Sequence, residues 1–379
     1  MQPGPTILLI GLGHLGSVLL ELMARQEWIG RIVACSRNRQ RGEARCNLAR
    51  LGGMAQGFSP DIEYLQLDLA DRERCAETVR RLDPDLVLGT ATMQTWWLPE
   101  LLPDDAAQRL KRARFGMWLP CHLAPTLALM EALAEAEYAG PVLTAPFPDV
   151  VNCVLDRIEL APTCGVGNLD EIVPKIRLGA AQRLEVPVET IQVQLVAHHA
   201  LESAAFSGAA MPIPYFLRIL QDGRDVTPEI NTDQLLFTPY PLPGGPAIAY
   251  LTSGSTLRLV EAVLKETVTL LHAPAPGGLP GGYPVMAGSG KVAPTAIEGL
   301  SLEEAIAINE RSHPFDGIER IAEDGTAVFV GETVETLRTE LGYDCERLEP
   351  HAAERRGNEL IARFREYAAR HGVDLEPFV

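Results

Sequence analysis

The chain has 379 residues, of which 46% are hydrophobic and 22% are charged. This length exceeds that of most single hydrophobic cores, so a globular protein of two domains is expected. The formal net charge of -17 argues against a nucleic-acid binder and against binding to anionic membranes, because clustered Lys and Arg meet both kinds of surface. A small-molecule ligand fits this composition better.

The seven cysteines show neither a C-x-x-C pair nor a dense disulfide framework. The N-terminus enters an apolar stretch at residue 7 almost directly, without the basic segment and cleavage signal of a secreted protein. No apolar run reaches the length needed to cross a membrane. These features predict a reducing, cytoplasmic location.

The first 145 residues alternate short β-rich runs with amphipathic helical runs, a pattern typical of a parallel sheet covered on both faces. The predicted strands are residues 6–10, 31–36, 62–67, 86–90 and 141–144. The predicted helices are residues 15–26, 39–51, 72–82 and a long helix that ends near residue 137. The predicted fold class is therefore α/β, with a Rossmann-type doubly wound parallel sheet in residues 1–145.

Residues 146–379 predict a second, α+β domain for catalysis and oligomerisation, with a C-terminal extension from about residue 313. Its predicted helices are residues 150–158, 168–184 and 255–271, and its predicted strands are residues 191–197 and 283–287. A hairpin over residues 215–227 turns at Asp222-Gly223. Ser301 and Glu304 predict a capping box for a further helix.

A glycine-rich turn follows the first predicted strand and opens the first predicted helix. Gly11, Gly13 and Gly16 have the G-x-G-x-x-G spacing in the strand-turn-helix context that this fingerprint needs. The first glycine makes the tight turn, the second lets the backbone approach a pyrophosphate, and the third allows close packing of helix on strand. His14 and Leu15 open the helix, whose N-terminus supplies amide donors. The turn predicts dinucleotide binding.

The second predicted strand ends at Ser36, about 20 residues after the glycines, where an NAD enzyme carries Asp or Glu for the ribose hydroxyls. Ser36 with Arg37 and Arg39 offers a hydroxyl and two guanidinium groups for a 2′-phosphate. The alternative is that both arginines form a solvated helix start. We predict NADP as the cofactor, with NAD as the alternative, and assign Thr90, at the end of the fourth predicted strand, to the same site.

Several stretches resemble the lactate/malate dehydrogenase superfamily in their order and spacing. Residues 41–48 are similar to the family's helix after the second strand, residues 167–170 (Gly-Asn-Leu-Asp) to its Leu-Asp pair, and residues 195–199 (Leu-Val-Ala-His-His) to its strand that ends in the catalytic histidine. Residues 254–256 and 282–285 also fall in family order. The resemblance implies a Rossmann domain followed by a catalytic domain.

This resemblance implies that His199 is the acid/base that exchanges a proton with the substrate oxygen, and that Asp170 orients its imidazole. A carboxylate on one ring nitrogen fixes the tautomer and stabilises the imidazolium formed during turnover. Taken without the resemblance, a histidine at a strand end is more often a structural hydrogen-bonder. His122, His14 and Tyr283 are the next candidates should His199 prove dispensable.

The chain departs from the family pattern at three places. The family's Asn-Pro is replaced by residues 146–149 (Pro-Phe-Pro-Asp), its arginine that clamps the substrate carboxylate falls at Val173, and its mobile loop with paired arginines is replaced by residues 93–99 (Met-Gln-Thr-Trp-Trp-Leu-Pro). A 2-hydroxy acid is therefore not the expected substrate, unless another cation such as Arg177 clamps it.

Residues 65–69 and 85–90 instead look like saccharopine-reductase or extended short-chain dehydrogenase domains, although no Tyr-x-x-x-Lys pair supports short-chain chemistry. Asp68 lies near the adenine or caps the next helix.

The leading hypothesis is an NAD(P)-dependent oxidoreductase that transfers a hydride between a nicotinamide cofactor and a small carbonyl, imine or alcohol substrate. Trp96, Trp97 and Thr256 are expected to line a partly apolar substrate pocket, and a homodimer or homotetramer is expected. One alternative is a redox-neutral lyase or glycosidase resembling glycoside hydrolase family four, with Cys164 and His199 as candidates for its metal site. A buried cysteine is usually only packing, so no metal ligand is assigned. Another alternative is a non-catalytic dinucleotide sensor.

Overall fold

A six-stranded sheet organises the first half of the chain in the computed structural model, which describes residues 4–375. Its strands are β1 (Thr6–Ile10), β2 (Arg31–Ser36), β3 (Ile62–Gln66), β4 (Leu86–Gly89), β5 (Val142–Thr144) and β6 (Cys164–Gly165). All neighbouring strands are parallel, in the order β3-β2-β1-β4-β5-β6. This order reverses between β1 and β4, so a crevice opens at the carboxyl ends of these two strands. The predicted Rossmann-type sheet is confirmed.

Helices connect these strands and cover both faces of the sheet. They are α1 (His14–Met23), α2 (Arg39–Ala55), α3 (Arg72–Leu82), α4 (Asp104–Lys111), α5 (Leu119–Glu135) and α6 (Pro148–Asp156). In β1, Leu8 and Ile10 belong to the hydrophobic core on one face, whereas Ile7 and Leu9 belong to the core on the other. A strand buried on both faces needs a nearly continuous apolar run, and the Thr-Ile-Leu-Leu-Ile of β1 supplies it.

The second half is built from antiparallel sheets and further helices, as the predicted α+β character requires. One sheet contains β7 (Ile191–Val196), β8 (Phe216–Gln221) and β9 (Arg224–Asp225). A second sheet contains β10 (Thr269–Pro274), β11 (Gly282–Gly288) and β12 (Lys291–Pro294). A third sheet contains β13 (Ile318–Ile321), β14 (Ala327–Phe329) and β15 (Arg347–Leu348). The helices are α7 (Val173–Leu184), α8 (Ala200–Ser207), α9 (Thr232–Leu236), α10 (Ala249–Leu264), α11 (Leu302–Ser312), α12 (Gly331–Thr336) and α13 (Ala353–Arg370). Short 3-10 helices include Phe115–Trp118 and His313–Asp316.

Two predicted helices have the wrong extent. The helix predicted over residues 255–271 is α10, which ends at Leu264, and β10 begins at Thr269. The helix predicted from residue 168 is α7, which begins at Val173 with a proline in its first positions. Proline has no N–H to donate, so the first turn is where a helix tolerates it. The predicted capping box of Ser301 and Glu304 is present at the start of α11.

The C-terminal segment packs against the first half of the chain. Trp118 meets Phe364 of α13 edge to face, with ring centroids 5.2 Å apart, and the Tyr367 hydroxyl donates to the Ala106 carbonyl at 3.3 Å. These residues share one hydrophobic core with Leu8 of β1. The boundary between two domains stays a prediction, and β6 continues the parallel sheet beyond residue 145.

Within residues 4–375, no helix combines the length and apolar character that crossing a membrane requires. The seven cysteines are free, buried thiols.

Candidate functional site

One large cavity, of about 2340 Å³, connects the crevice between β1 and β4 with the start of α8. The predicted site residues that line it are Gly11, Gly13, His14, Leu15, Ser36, Arg37, Thr90, Trp96, Trp97 and His199. The C-terminal helix α13 closes one side of this cavity through Asn358, Ile361 and Arg365. The cavity therefore joins the predicted dinucleotide turn to the predicted catalytic histidine.

The glycine-rich turn has the geometry of a phosphate cradle. Gly11 has a φ of +108°, and a Cβ at Gly16 would lie 1.8 Å from the Gly11 carbonyl oxygen, so neither position accepts a side chain. A Cβ at Gly13 would meet nothing within 4 Å and would project into open space at the cavity wall. Helix α1 begins at His14 without a side-chain cap, which leaves its first N–H groups and the positive end of its dipole for an anion.

The end of β2 presents a hydroxyl and cationic side chains to the same cavity. Ser36 and Arg37 line the wall, as predicted. Arg39 lies outside the lining, because its guanidinium contacts Gln66 at 3.3 Å and Glu43 at 3.5 Å. The arginines that do line this wall are Arg37, Arg41 and Arg45. Guanidinium groups beside a strand end suit the oxygens of a phosphate.

Two residues at strand ends have separate roles. The Thr90 hydroxyl donates to the Gly11 carbonyl at 2.6 Å and so holds the glycine-rich turn against β4. Asp68 lines the cavity, whereas the cap of α3 is Asp71, whose side chain accepts from the Arg74 N–H. Asp68 is therefore not the cap of α3, and its place near an adenine stays a prediction.

His199 lies at the far end of the cavity between two aspartates. Its ring Nδ1 is 2.8 Å from Asp316 Oδ2, and its backbone N–H donates to Asp149 Oδ1 at 3.0 Å. Asp149 is fully buried and its other oxygen accepts from the Asn168 amide at 2.6 Å. With Asp316 on Nδ1, the His199 Nε2 is the ring nitrogen left for a substrate, and 18% of the side chain is exposed.

The pKa shifts of His199 and Asp316 follow from their burial and from their proximity to each other. Burial alone would lower the pKa of the His199 imidazole, but the charge of Asp316 and its hydrogen bond outweigh it, so the His199 pKa is raised. Burial alone would raise the pKa of the Asp316 carboxyl, but His199 and the hydrogen bonds from both neighbouring histidines hold it well below its usual range. The second of these is His198, whose Nδ1 lies 3.0 Å from Asp316 Oδ2. Asp316 is thus a buried carboxylate that orients His199.

The structure does not bring Asp170 to His199. The Asp170 carboxylate instead accepts a hydrogen bond from the Ser255 hydroxyl at 2.8 Å, because its turn directs it toward α10. Thr256 also lies outside the cavity, fully buried in α10 with its hydroxyl donated to the Thr252 carbonyl at 2.7 Å. Thr252, one helical turn earlier, lines the cavity in its place.

Aromatic rings surround His199 on one side. Phe115 lies 4.4 Å from His199 between ring centroids, and Phe147 lies 5.3 Å away. His122 stacks on Phe115 at 5.6 Å with a 6° angle between the planes, and Trp96 lies 6.3 Å from the same ring. These four rings, here called the aromatic group, all line the cavity. They make the His199 end of the cavity apolar on this side.

Two glutamates, Glu171 and Glu202, here called the glutamate pair, also lie near His199. Both line the cavity, and their carboxyl groups hydrogen-bond to each other. Glu171 is 3% exposed and accepts a further hydrogen bond from the Thr252 hydroxyl. Burial, and for Glu202 also the charge of its partner, raises the pKa of both carboxyls. A hydrogen-bonded carboxyl pair of this kind shares one proton.

Three residues beside this end of the cavity have a left-handed backbone conformation. Arg114, Phe147 and Leu169 have φ values of +60°, +45° and +69°. Such conformations are rare for residues with side chains and often occur where a binding site needs an exact placement. Here they set the positions of Phe115, the Phe147 ring and the turn before Glu171.

The metal-site alternative is not supported by the arrangement of its candidate ligands. Cys164 is buried in β6 within the hydrophobic core and does not line the cavity that His199 faces. Among residues 4–375, no cluster of three or more His, Cys, Asp or Glu side chains has a geometry that could hold a metal ion.

Several solved structures have a fold similar to that of this chain. The chain is similar to the minor L-lactate dehydrogenase of Enterococcus mundtii, with 17% identity over 83% of this chain and 96% of that chain and a TM-score of 0.54. A lactate dehydrogenase from a Medee basin deep-sea metagenome library has 12% identity over 83% of this chain and 97% of that chain, with a TM-score of 0.56. The Eimeria maxima lactate dehydrogenase solved with NADH and oxamate has 14% identity over 83% of this chain and 94% of that chain, with a TM-score of 0.54. The chain has the lactate dehydrogenase fold. No protein-family model and no curated protein sequence matches it.

The lactate dehydrogenase fold confirms the predicted resemblance at the level of architecture, whereas residue roles depend on the geometry of this site. Sequence reasoning missed Asp149, Asp316 and the glutamate pair. For Asp149 a signal existed, since it belongs to the Pro-Phe-Pro-Asp stretch that departs from the family pattern. Asp316 had none, because it lies 117 residues after His199 and outside any recognised motif.

Proposed function

We propose that the chain is an NAD(P)-dependent oxidoreductase that acts on a small carbonyl, imine or alcohol compound, with His199 as its acid/base. The observation that carries this proposal is the single cavity that joins the glycine-rich cradle to the pair of His199 and Asp316. In an open α/β sheet this crevice at the reversal of strand order is the usual ligand site. The seven buried free thiols agree with the proposed cytoplasmic location.

When bound, the nicotinamide cofactor would supply or accept the hydride. The Gly11–Gly13 turn and the start of α1 would hold its pyrophosphate, because Gly13 leaves the space that a Cβ would fill. His199 Nε2 would exchange the proton with the substrate oxygen or nitrogen, while Asp316 on Nδ1 keeps the tautomer and stabilises the imidazolium. Asp149 would fix the backbone of His199.

We further propose that NADPH binds more tightly than NADH. Ser36, Arg37 and two arginines of α2, Arg41 and Arg45, line the wall beside the end of β2, and no carboxylate occupies the strand-end position that would repel a 2′-phosphate.

A glycine-to-alanine pair tests the cofactor site. Gly13→Ala should fold normally, since the added Cβ meets no protein atom, but it should weaken NADPH binding about tenfold or more by filling the cradle. Gly254→Ala is the matched control, because a Cβ there also meets nothing within 4 Å and Gly254 is an exposed residue of α10. Calorimetric titration giving equal NADPH affinities for both variants would refute the assigned cradle.

A substrate panel then separates an enzyme from a dinucleotide sensor. Nicotinamide absorbance is followed with alcohols, carbonyl compounds and imines, including lactate, malate, pyruvate and oxaloacetate. Turnover of some member is expected, but negligible turnover of these four acids, because buried Val173 stands where the clamping arginine would be and Arg177 donates to the Ile191 and Val188 carbonyls. Cofactor binding without turnover of any compound would favour the sensor.

A further inference from the structure

Within residues 4–375, two buried acceptors in the wall near His199 receive no hydrogen bond from an N–H or alcohol donor. Glu202 Oε2 is buried and has no hydrogen-bond partner apart from the Glu171 carboxyl, and Glu202 lines the cavity. His122 is only 3% exposed, lines the same cavity, and its Nε2 also lacks a partner there. A buried polar atom without a partner is costly, so each one needs an explanation such as a ligand.

The hydrogen bonds of His122 show that its free nitrogen is an acceptor. The Thr92 hydroxyl lies 2.9 Å from the Gln94 carbonyl and 3.1 Å from the Cys121 carbonyl, so its proton goes to a carbonyl. The Thr92 oxygen can then only accept from His122 Nδ1, which is 3.1 Å away. Burial, aided by the charge of His199, lowers the pKa of His122 to about 3, so the ring is neutral and Nε2 carries no proton.

The charge of this region is negative, and no lysine or arginine is among the described groups that act most strongly on the glutamate pair. The charged groups that act most strongly on the glutamate pair are Asp149, Asp170, Asp316 and His199, and the last of these is already paired with Asp316. The missing partner is therefore a cation that also donates hydrogen bonds. Rings of the aromatic group at the same end of the cavity add cation–π attraction for such a group.

The arginine beside the aromatic group is already engaged by other protein groups. Arg114 is the cationic residue next to Phe115, but its guanidinium binds the Pro314 carbonyl and lies 2.9 Å from Glu332. At the position of the family's clamping arginine stands Val173. The His199 end of the cavity therefore repels the group for which a 2-hydroxy acid dehydrogenase is built.

We propose that the glutamate pair, His122 Nε2 and the aromatic group bind a protonated amine, so that the substrate is a small alcohol or carbonyl compound carrying an ammonium group. The amine site follows from the geometry alone, whereas its identification as part of the substrate rests on the proposed oxidoreductase function. An ammonium group supplies the donors for Glu202 Oε2 and His122 Nε2 and the positive charge that the pair lacks.

Binding of the ammonium group should expel the proton that the glutamate pair shares, because the cation favours both carboxyls in their ionised form. Amine affinity should therefore rise with pH while the pair is still protonated, and fall once the ammonium group itself loses its proton near pH 10. The pKa of Glu202 is raised by burial and by the negative charges of Glu171, Asp149 and Asp316. The positive charge of His199 acts in the opposite direction and lowers the pKa of Glu171.

The test is isothermal titration calorimetry with 4-aminobutan-1-ol, and with butane-1,4-diol and 4-hydroxybutanoate as neutral and anionic controls of the same length. Titrations run with and without saturating NADP, in buffers of different ionisation enthalpy, so that released protons are counted. The amine should bind at least about tenfold more tightly than either control and release up to one proton per molecule near neutral pH. Equal affinity for the diol would overturn the inference.

Glu202→Gln and Glu171→Gln should each weaken amine binding about tenfold or more and abolish proton release, because the remaining carboxyl is ionised before the amine arrives. Glu261→Gln, an exposed partner of Lys265 on α10, is the matched control and should behave like the native chain. Unchanged proton release in both site variants would refute the inference even if affinity fell. Amine binding with proton release, but with binding of neither NADP nor NAD, would refute the oxidoreductase and leave the amine site supported.

Discussion

The two ends of the cavity are assembled in different ways. At the proposed cofactor end, the glycine-rich turn of six consecutive residues, Gly11 to Gly16, lies beside strand ends of one parallel sheet. At the His199 end, the side chains come from separate elements: Phe115 from a 3-10 helix, Asp149 from α6, Glu171 from the turn before α7, and Asp316 from a 3-10 helix after α11. The first end is local in sequence and the second is made by tertiary folding.

This difference determines how each end responds to mutation. A local cradle depends on backbone N–H groups and on space, so single side-chain losses change its affinity gradually. An assembled site depends on a few buried charges that stabilise one another, so removal of one leaves another without its partner. The largest effects are therefore expected around His199 and the smallest along the wall of β2.

His199→Ala should lower turnover by about 100-fold or more and leave NADPH affinity nearly unchanged, because the proton transfer is lost while the cradle stays intact. Steady-state rates and calorimetric titration on the same preparation measure both quantities. His351→Ala is the control, since His351 is exposed on the surface at 72%. A folded His199→Ala protein with native turnover would move the search to His122, His14 or Tyr283.

Asp316→Asn should lower turnover by about 10- to 100-fold, because the imidazole of His199 loses the partner that sets its tautomer. Without this carboxylate, only the weaker charges of Asp149 and Glu171 oppose burial, so the pKa of His199 falls and the acidic limb of the rate profile should shift to lower pH. Asp170→Asn, whose carboxylate contacts Ser255, should keep turnover within about twofold of native and should not shift the profile. The opposite ranking of the two variants would restore Asp170 as the orienting group.

The secondary structure that local patterns encode was predictable. Strands β1 and β2 and helix α3 have the predicted limits, because apolar runs and turn residues mark them. The helix predicted over residues 255–271 failed because no Gly or Pro separates Leu264 from Thr269. Residues from Thr269 onward form a strand because β10 pairs with β11, and a local sequence pattern does not indicate such a contact between distant segments.

The candidate site shows the same limit. The glycine-rich turn, Ser36 and Arg37 could be predicted to lie together, because each follows a strand that the local sequence pattern marks. Asp170 was selected by analogy of order, but the carboxylate that reaches His199 is Asp316. Side-chain direction decided that outcome, and it depends on how two distant segments pack.

Three buried histidines should also make the stability of the fold sensitive to acid. Burial lowers the pKa values of His122, His272 and His313 to about 3, so between about pH 6.5 and pH 3 the unfolded state binds more protons than the native state. The free energy of unfolding should then fall with decreasing pH, by about 1.4 kcal/mol per pH unit for each histidine. His199 acts oppositely, since its raised pKa gives a contribution that is present at low pH and lost as pH rises.

Urea unfolding at a series of pH values measures this slope. His272→Gln should reduce it by about one histidine's share, because Gln can still accept the Leu195 N–H, which now lies 3.2 Å from His272 Nε2. His351→Ala, on the surface, should leave the slope unchanged. A stability that stays level between pH 6.5 and pH 5 would contradict the neutral, buried state of these rings.

The smallest effect is expected at the cofactor end, where Arg37 and Arg39 stand two residues apart at the start of the same segment. Arg37 lines the cavity, whereas Arg39 binds Gln66 and Glu43 outside it. Arg37→Ala should therefore weaken NADPH binding about tenfold and NADH binding hardly at all, since only the 2′-phosphate loses a guanidinium partner. Arg39→Ala should leave both affinities unchanged. Calorimetric titration of both cofactors decides the matter: equal losses for NADH and NADPH in Arg37→Ala would show that this arginine shapes the wall without reading the 2′-phosphate.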